Sequence, residues 1–196
     1  MATVDVLIPT YRRKTGLAMV LTSLLGQTFT DFNVIVSDQT EAPDRYLDSI
    51  EVQTAVRALR YHGHRVDLHW HVPRRGMAEQ RQFLLEQSTA PYVHYLDDDV
   101  VIEPRVMERL LSVVREDGCG FAGAAAVGLW YLDDVRPHQQ GIEVWEGPVR
   151  PEPFTPDWIP VERHGINVAA NALHVEQRLA PHGETIRYKG AWIGGA

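Results

Sequence analysis

The first part of the chain alternates short apolar runs with segments whose apolar residues recur at helical spacing. Val4 to Pro9 has the apolar character of a buried strand, and Pro9 ends it. Thr15 is suited to cap a helix, and the apolar residues that follow share one helical face up to Gly26: Leu17, Val20, Leu21, Leu24 and Leu25. A strand, a polar loop and a helix in this order predict the first half of a βαβ unit.

The same alternation continues along the chain. Further strands are predicted at 33–36, 67–72, 92–96 and 121–127, and further helices at 46–59, at 77–87 and after Pro104. The apolar face of the last helix is expected to consist of Val106, Leu110, Val113 and Val114, with Asp117-Gly118 at its end. Because strands alternate with helices, we predict an α/β fold with a mostly parallel central sheet flanked by helices.

The pattern changes towards the C-terminus. Half of the 12 prolines lie between Pro137 and Pro160, which excludes a regular repeat of helices and strands there. This segment is predicted to be either a hairpin with a long loop over the site or a partly disordered excursion.

Composition narrows the possible partners and the compartment. Acidic residues outnumber basic ones 26 to 19 and the net charge is −7, which argues against a general electrostatic grip on nucleic acid. The single Cys119 excludes an internal disulfide and a cysteine-based zinc site. The sequence has no apolar span of about 20 residues and no signal peptide after Met1. We therefore expect a cytoplasmic protein with no transmembrane segment and no nucleic-acid partner.

The least ordinary feature is the acidic cluster formed by Asp97, Asp98 and Asp99 at the end of the run that begins at Tyr92. Adjacent carboxylates repel one another unless a cation or a sugar hydroxyl compensates their charge. In an extended chain Asp97 and Asp99 would point to one side and Asp98 to the other, which would start a divalent metal site. The alternative is a surface turn or a helix start, because Glu103-Pro104 follows.

Polar and charged residues directly follow each of the predicted strands: 10–13, Asp38, Arg74-Arg75 and 97–99. The carboxyl ends of parallel strands share one edge, where ligands of such sheets collect. Basic loops beside carboxylates suit a diphosphate with Mg²⁺ or Mn²⁺, since the cation bridges acid and phosphate oxygens. Four histidines between positions 62 and 71 could suggest a different metal site, but no carboxylate or thiol joins them at fixed spacing.

Familiar phosphate-binding motifs are absent. The sequence contains neither the P-loop pattern G-x-x-x-x-G-K-[ST] nor G-x-G-x-x-G after the first strand. The motifs that are present are I-P-T-Y-R-R, V-S-D, R-x-G-x-A-x-x-R and Y-L-D-D-D. In this combination the chain resembles the family 2 glycosyltransferases of the GT-A fold, over roughly 4–127 with weaker support at 192–196.

The resemblance implies roles for individual residues. Four residues of the first loop region would border the nucleotide: Pro9, Thr10, Tyr11 and Arg12. Asp38 would meet the base, and Arg75 and Arg81 would lie near the diphosphate. Asp97 and Asp98 would contact ribose or metal. Asp99 is the leading candidate for a metal ligand, with Asp97 beside it.

The resemblance also implies a function. It is that of a metal-dependent inverting transferase, which moves a sugar from a nucleoside diphosphate sugar, preferably a UDP-sugar, to the hydroxyl of a saccharide, lipid-linked or small-molecule acceptor. We expect one domain over residues 1–196, with a nucleotide-binding half at 1–127 and an acceptor-side half at 128–196 that lacks its C-terminal part. The catalytic base is then expected beyond residue 196, with Asp133 and Asp134 as candidates within the chain.

Two alternatives stay open. A sugar-1-phosphate nucleotidyltransferase is disfavoured because the loop after the first strand has no glycine where such enzymes have a glycine-rich sequence. A non-catalytic domain that binds a nucleotide without turnover is the other possibility.

Overall fold

The computed structural model describes residues 2–124, which form four parallel strands and four helices. In chain order these are β1 (Val4–Thr10), α1 (Lys14–Leu24), β2 (Phe32–Asp38), α2 (Ile50–Tyr61), β3 (Val66–Trp70), α3 (Met77–Gln87), β4 (Tyr92–Tyr95) and α4 (Val106–Asp117). The strand order is β3-β2-β1-β4, with β1 and β2 in the centre. The predicted parallel α/β fold is confirmed over this range.

The central strands explain why the sequence forms a sheet with both faces covered. All seven residues of β1 are buried, as expected for a parallel strand packed on both sides. On one face Leu7 and Ile35 pack against Leu84 of α3. Side chains alternate along a strand, so Val6 and Ile8, which are fully buried, face the opposite side. The apolar stripes of α1 and α2, which pack against each other, are also buried.

Some element boundaries differ from the predictions. Helix α1 begins at Lys14, and Arg13 rather than Thr15 is its N-cap residue, because Leu17 N donates to Arg13 O over 2.9 Å. Helix α2 begins at Ile50 rather than at Tyr46, whose side chain is buried in the preceding loop. For Tyr46, a long-range contact described below outweighs the local helical pattern.

Helix α4 and the segment after it also depart from expectation. The most buried apolar residues of α4 are Met107 and Leu111, whereas the four predicted positions are half-buried. Gly118, in the left-handed region at φ +59°, follows the end of the helix. Residues 121–124 form no regular structure, so the predicted strand is not seen there, and its remainder lies outside the described residues. Within residues 2–124 no helix is long and apolar enough to cross a membrane.

Candidate functional site

The strand order creates a crevice at the carboxyl ends of β1 and β4. The chain adds β2 and β3 on one side of β1 and then crosses to the other side to form β4. Ligands of open α/β sheets bind where the strand order reverses in this way. Thr10 is the last residue of β1, and the acidic cluster follows β4 directly. The predicted location of the site at this edge is therefore consistent with the topology.

A chain of hydrogen bonds crosses this crevice. The buried Thr10 hydroxyl donates to Asp98 Oδ2 over 2.6 Å, and the Tyr46 hydroxyl lies 2.5 Å from Thr10 Oγ1. Because Thr10 has one hydroxyl proton and gives it to the carboxylate, Tyr46 must donate to Thr10. Burial raises the pKa of Asp98, and the Thr10 hydrogen bond and the charge of Arg13 oppose that rise. The Thr10–Asp98 hydrogen bond thus holds a buried carboxylate at the switch point, where the strand order reverses.

Arg13 contacts two members of the acidic cluster. Its guanidinium Nη1 pairs with Asp99 Oδ2 and lies 3.5 Å from Asp98 Oδ1. The charge of Asp99, followed by that of Asp98, raises the pKa of Arg13. Asp98 is buried, but the side chains of Asp99 and Arg13 are each about half exposed, at 52% and 55%. Asp99 thus carries a carboxylate that a ligand can reach.

Gly16 allows the first turn of α1 to approach the acidic cluster closely. A Cβ atom at this position would lie only 2.5 Å from Asp98 O, a distance that real Cβ atoms essentially never show. Arg13 and Gly16 together fix the acidic turn against the N-terminus of α1, whose backbone dipole favours negative charge there.

The expected alternation of the three acids is not observed. Strand β4 ends at Tyr95, so the acids lie in the following turn rather than in extended chain. Asp97 pairs with Arg81 over 2.9 Å, whereas Asp98 and Asp99 share Arg13. The prediction that Asp97 and Asp99 face one side together was wrong, because period-two alternation holds only within the strand.

The carboxylates of the acidic cluster are possible ligands for a divalent cation. Within residues 2–124 no group of three or more His, Cys, Asp or Glu side chains could hold a metal ion. However, Mg²⁺ is often bound by one or two carboxylates together with substrate phosphates, and Mn²⁺ has similar oxygen preferences. The half-exposed carboxylate of Asp99 fits that kind of site. The donor set therefore suits a cation shared with a diphosphate, not a cage made by the protein alone.

Asp38 ends β2 in a buried position with one unused oxygen. Its Oδ1 accepts a 2.8 Å hydrogen bond from Thr40 N, and Oδ2 is buried without a hydrogen-bond partner. Burial raises the pKa of Asp38, and the nearby side chains of Thr40, Trp70 and Tyr46 oppose this rise. A buried polar atom without a partner is costly and suggests a group that the structure lacks.

Three arginines in the loops at this edge have no carboxylate partner within residues 2–124. Arg74 lies over the ring of Tyr11 at 4.1 Å, and Arg45 lies over Trp70 at 3.7 Å. Within residues 2–124 neither arginine forms an ion pair, and Arg75 makes no ion pair or hydrogen bond. Guanidinium groups of this kind suit phosphate oxygens.

Arg12 has an unusual backbone conformation in the first of these loops. Its φ of 56° lies in the left-handed region, and its N–H donates to Thr40 Oγ1 over 2.8 Å. Its side chain approaches Asp44 at 3.6 Å. A non-glycine residue with positive φ costs free energy, and such residues cluster at functional sites.

The predicted site residues are only partly brought together. Thr10, Asp98 and Asp99 meet through direct contacts and Arg13, while Arg81 joins only Asp97. Pro9 is buried within β1, Tyr11 is half-buried and Arg75 is exposed. Asp133 and Asp134 lie outside the described residues. A cleft of about 420 Å³ beside the first loop is lined by Arg12, Lys14, Asp44, Arg45 and Tyr46.

Two residues at this edge were not predicted from the sequence. Tyr46 was assigned to a helix, and its hydroxyl instead reaches Thr10 from a loop. Gln80 is buried in α3, where its side-chain amide donates to Thr10 O at 3.1 Å and Ser37 O at 2.6 Å. The contact fixes α3 against the ends of β1 and β2, and the sequence carries no signal that distinguishes Gln80 from the other polar residues of this helix.

Two of the four histidines between positions 62 and 71 stack on phenylalanine rings. His64 stacks on Phe32 and His71 stacks on Phe83, with ring centroids 4.0 and 3.9 Å apart. His71 Nε2 also lies 2.8 Å from Glu79 Oε1. A second groove of about 480 Å³ runs along β3 and is lined by none of the predicted site residues.

Comparison with curated proteins gives a relative that is described as a glycosyltransferase. The chain is 26% identical over 113 residues to an uncharacterized glycosyltransferase of Haemophilus influenzae, and the match covers 58% of this chain and 35% of the relative. The chain thus spans about a third of the length of the curated relative that it matches.

Two solved structures are similar to the described part of the chain. S. aureus TarS 1-349 aligns with a TM-score of 0.48 and 21% identity, covering 59% of this chain and 33% of that TarS fragment. The mannosyltransferase PcManGT from Pyrobaculum calidifontis, solved with GDP-Man and Mn²⁺, aligns with a TM-score of 0.46 and 19% identity, covering 58% of this chain and 32% of that one.

The family assignment rests on a longer match. The sequence pattern of the family described as Glycosyl transferase family 2 matches residues 5–165, which is most of the chain and includes all of the strands and helices described above except Val4 at the start of β1. The chain therefore belongs to glycosyl transferase family 2.

Proposed function

We propose that the crevice at the carboxyl ends of β1 and β4 binds a nucleoside diphosphate sugar with a divalent cation, and that the protein transfers the sugar to an acceptor hydroxyl with inversion. The observation that carries this proposal is the Thr10–Asp98 hydrogen bond with Arg13 and Asp99 at the switch point. Family membership supports the reaction class. The unneutralised arginines of the adjacent loops supply the positive charge that a diphosphate requires.

Asp38 is the proposed contact for the base. An ionised carboxylate only accepts hydrogen bonds, so its unused Oδ2 suits the imide N–H of uracil, whereas cytosine has an acceptor at N3 and could donate only from its N4 amino group. This favours a UDP-sugar over a CDP-sugar. Because Asp38 is fully buried beside Tyr46, base binding would require the loop between β2 and α2 to move.

The proposed reaction is a direct displacement at the anomeric carbon. The acceptor oxygen forms a bond to that carbon as the bond to the diphosphate oxygen breaks, and the acceptor proton passes to a base. A divalent cation would stabilise the charge on the leaving diphosphate, with Asp99 as its first candidate ligand and Asp97 as the second. The arginines share that task through charge-assisted hydrogen bonds.

The base is proposed to lie outside the described residues. Asp97, Asp98 and Asp99 are each already paired with an arginine or a hydroxyl. Asp133 and Asp134 are the first residues to substitute by asparagine, and loss of a general base slows such a step by about 10²–10⁴-fold without removing donor binding.

Calorimetry tests the proposal directly. UDP, GDP, CDP and dTDP are titrated into the protein with Mn²⁺ and, separately, with EDTA. We expect UDP to bind most tightly and only weakly in EDTA. Absence of binding by every nucleotide under both conditions would refute the proposed site.

An Asp99→Ala variant tests the cation separately. It should lose the Mn²⁺-dependent gain in UDP affinity, while Asp67→Ala, which removes one carboxylate from the exposed Arg65 pair on β3, should keep it. Equal UDP affinity in Mn²⁺ and EDTA for the unsubstituted protein would remove the metal from the proposal. Tight UDP-sugar binding without transfer to any acceptor would favour a non-catalytic nucleotide-binding domain.

A further inference from the structure

Arg13 forms an ion pair with Asp99, the carboxylate that the proposed cation would bind. Its Nη1 pairs with Asp99 Oδ2, the more exposed acid of the two that it contacts. Asp99 and Asp98 are also the largest causes of the raised pKa of Arg13. The guanidinium is thus the counter-ion of Asp98 and Asp99 in the structure, whereas Arg81 pairs with Asp97.

The two acids differ in how they can exchange that counter-ion. Asp98 is buried, and its Oδ2 accepts the Thr10 hydrogen bond while Arg13 approaches its other oxygen. Asp99 has no other hydrogen bond or ion pair within residues 2–124, and its side chain is half exposed. A cation that reaches Asp99 must therefore displace the guanidinium or share the carboxylate with it.

The Arg13 side chain is exposed enough to move away from Asp99. Its side chain is about half exposed, and only its backbone is fixed by the start of α1. The two basic residues beside it in the chain have other partners, since Lys14 pairs with Glu51 at 2.9 Å and Arg12 approaches Asp44. A released guanidinium would be a phosphate ligand at the same crevice.

We propose that Arg13 is an exchangeable counter-ion, which pairs with Asp99 until a nucleoside diphosphate binds and then yields this carboxylate to the divalent cation. The free guanidinium then contacts the diphosphate. This inference rests on the proposed function and assigns to Arg13 a role that the sequence motifs did not. It predicts that removing the guanidinium strengthens the binding of the divalent cation alone and weakens the binding of the nucleoside diphosphate.

The test uses Arg13→Gln, with Lys14→Gln as the matched control. Both variants lose one positive charge at neighbouring positions, but Lys14 faces Glu51 rather than the acidic cluster. Binding of Mn²⁺ alone is measured by the loss of its electron paramagnetic resonance signal. Binding of UDP at saturating Mn²⁺ is measured by calorimetry.

Arg13→Gln should bind Mn²⁺ alone about three- to tenfold more tightly, because a competing charge has gone, and should bind UDP about tenfold more weakly. Arg13→Lys should restore part of the UDP affinity. Unchanged or weaker Mn²⁺ binding by Arg13→Gln, or equal tightening in Lys14→Gln, would overturn the inference. If no variant binds Mn²⁺ even with UDP, the proposed function fails together with it, whereas normal Mn²⁺-dependent UDP binding with no opposite effects overturns the role of Arg13 alone.

Discussion

Thr10 Oγ1 and Asp98 Oδ2 are 2.6 Å apart, although 88 residues separate them in the chain. Their hydrogen bond joins the end of β1 to the turn after β4, and so it connects the two sides of the crevice at the switch point. Both residues are buried. The stability of the sheet edge and the geometry of the site therefore depend on the same contact.

Replacing Thr10 with valine should destabilise the protein by about 1–3 kcal/mol, because the variant keeps the shape but leaves a buried carboxylate without its donor. Urea unfolding measures the change in the free energy of unfolding. Thr54→Val is the control, since the Thr54 hydroxyl bonds only to local groups on an exposed face of α2. A loss no larger than that of the control would contradict the importance of the Thr10–Asp98 bond.

Gly16→Ala should displace the acidic turn, because the added Cβ would meet Asp98 O at 2.5 Å. We expect a loss of about 1–3 kcal/mol in stability and weaker UDP binding. Gly26→Ala is the matched control, since its Cβ would meet Ser23 O at an ordinary 3.6 Å. Calorimetric UDP affinities that are equal in the two variants would show that the close approach of α1 does not shape the site.

Asp38→Asn should change the preference for the base. The amide can donate as well as accept, so the affinity for UDP should fall relative to that for CDP by roughly tenfold. Binding of pyrophosphate should stay the same, because Asp38 is not expected to contact phosphate. Competition titrations with UDP, CDP and pyrophosphate provide the measurement, and a parallel loss for all of these ligands would exclude Asp38 from the base site.

Asp5 provides a prediction about pH. Burial alone would raise its pKa, but hydrogen bonds from Ser88, Thr89, Asn33 and Ala90 outweigh burial and lower the pKa below the ordinary 3.8. The carboxylate therefore adds stability that is fully present above pH 3.8 and is lost as the pH falls through the lower native value.

Asp5→Asn should be about 1–3 kcal/mol less stable than the unsubstituted protein at neutral pH. The difference should shrink as the pH is lowered below 3.8. Urea unfolding at a series of pH values measures it. A difference that is constant or grows with acidity would contradict the assigned role, in which Asp5 fastens the segment before β4 to β1.

The sequence by itself determined the succession of strands and helices along the chain from β1 to α4. It also determined the edge of the sheet at which the charged residues gather. Apolar periodicity is a local property, so β1 and α3 were located to within a residue. Parallel strands also share one carboxyl edge by construction, which placed Thr10 and the acidic cluster there without knowledge of any contact.

Only the tertiary structure decided which charged groups meet. Asp98 and Asp99 take Arg13, while Asp97 takes Arg81, because these pairings depend on where the strand ends and how α1 approaches the turn. Tyr46 lies in a loop rather than in the predicted helix because of a long-range contact as well. Its hydroxyl gains a buried partner in Thr10, and such a contact between distant segments is worth more than one additional helical turn.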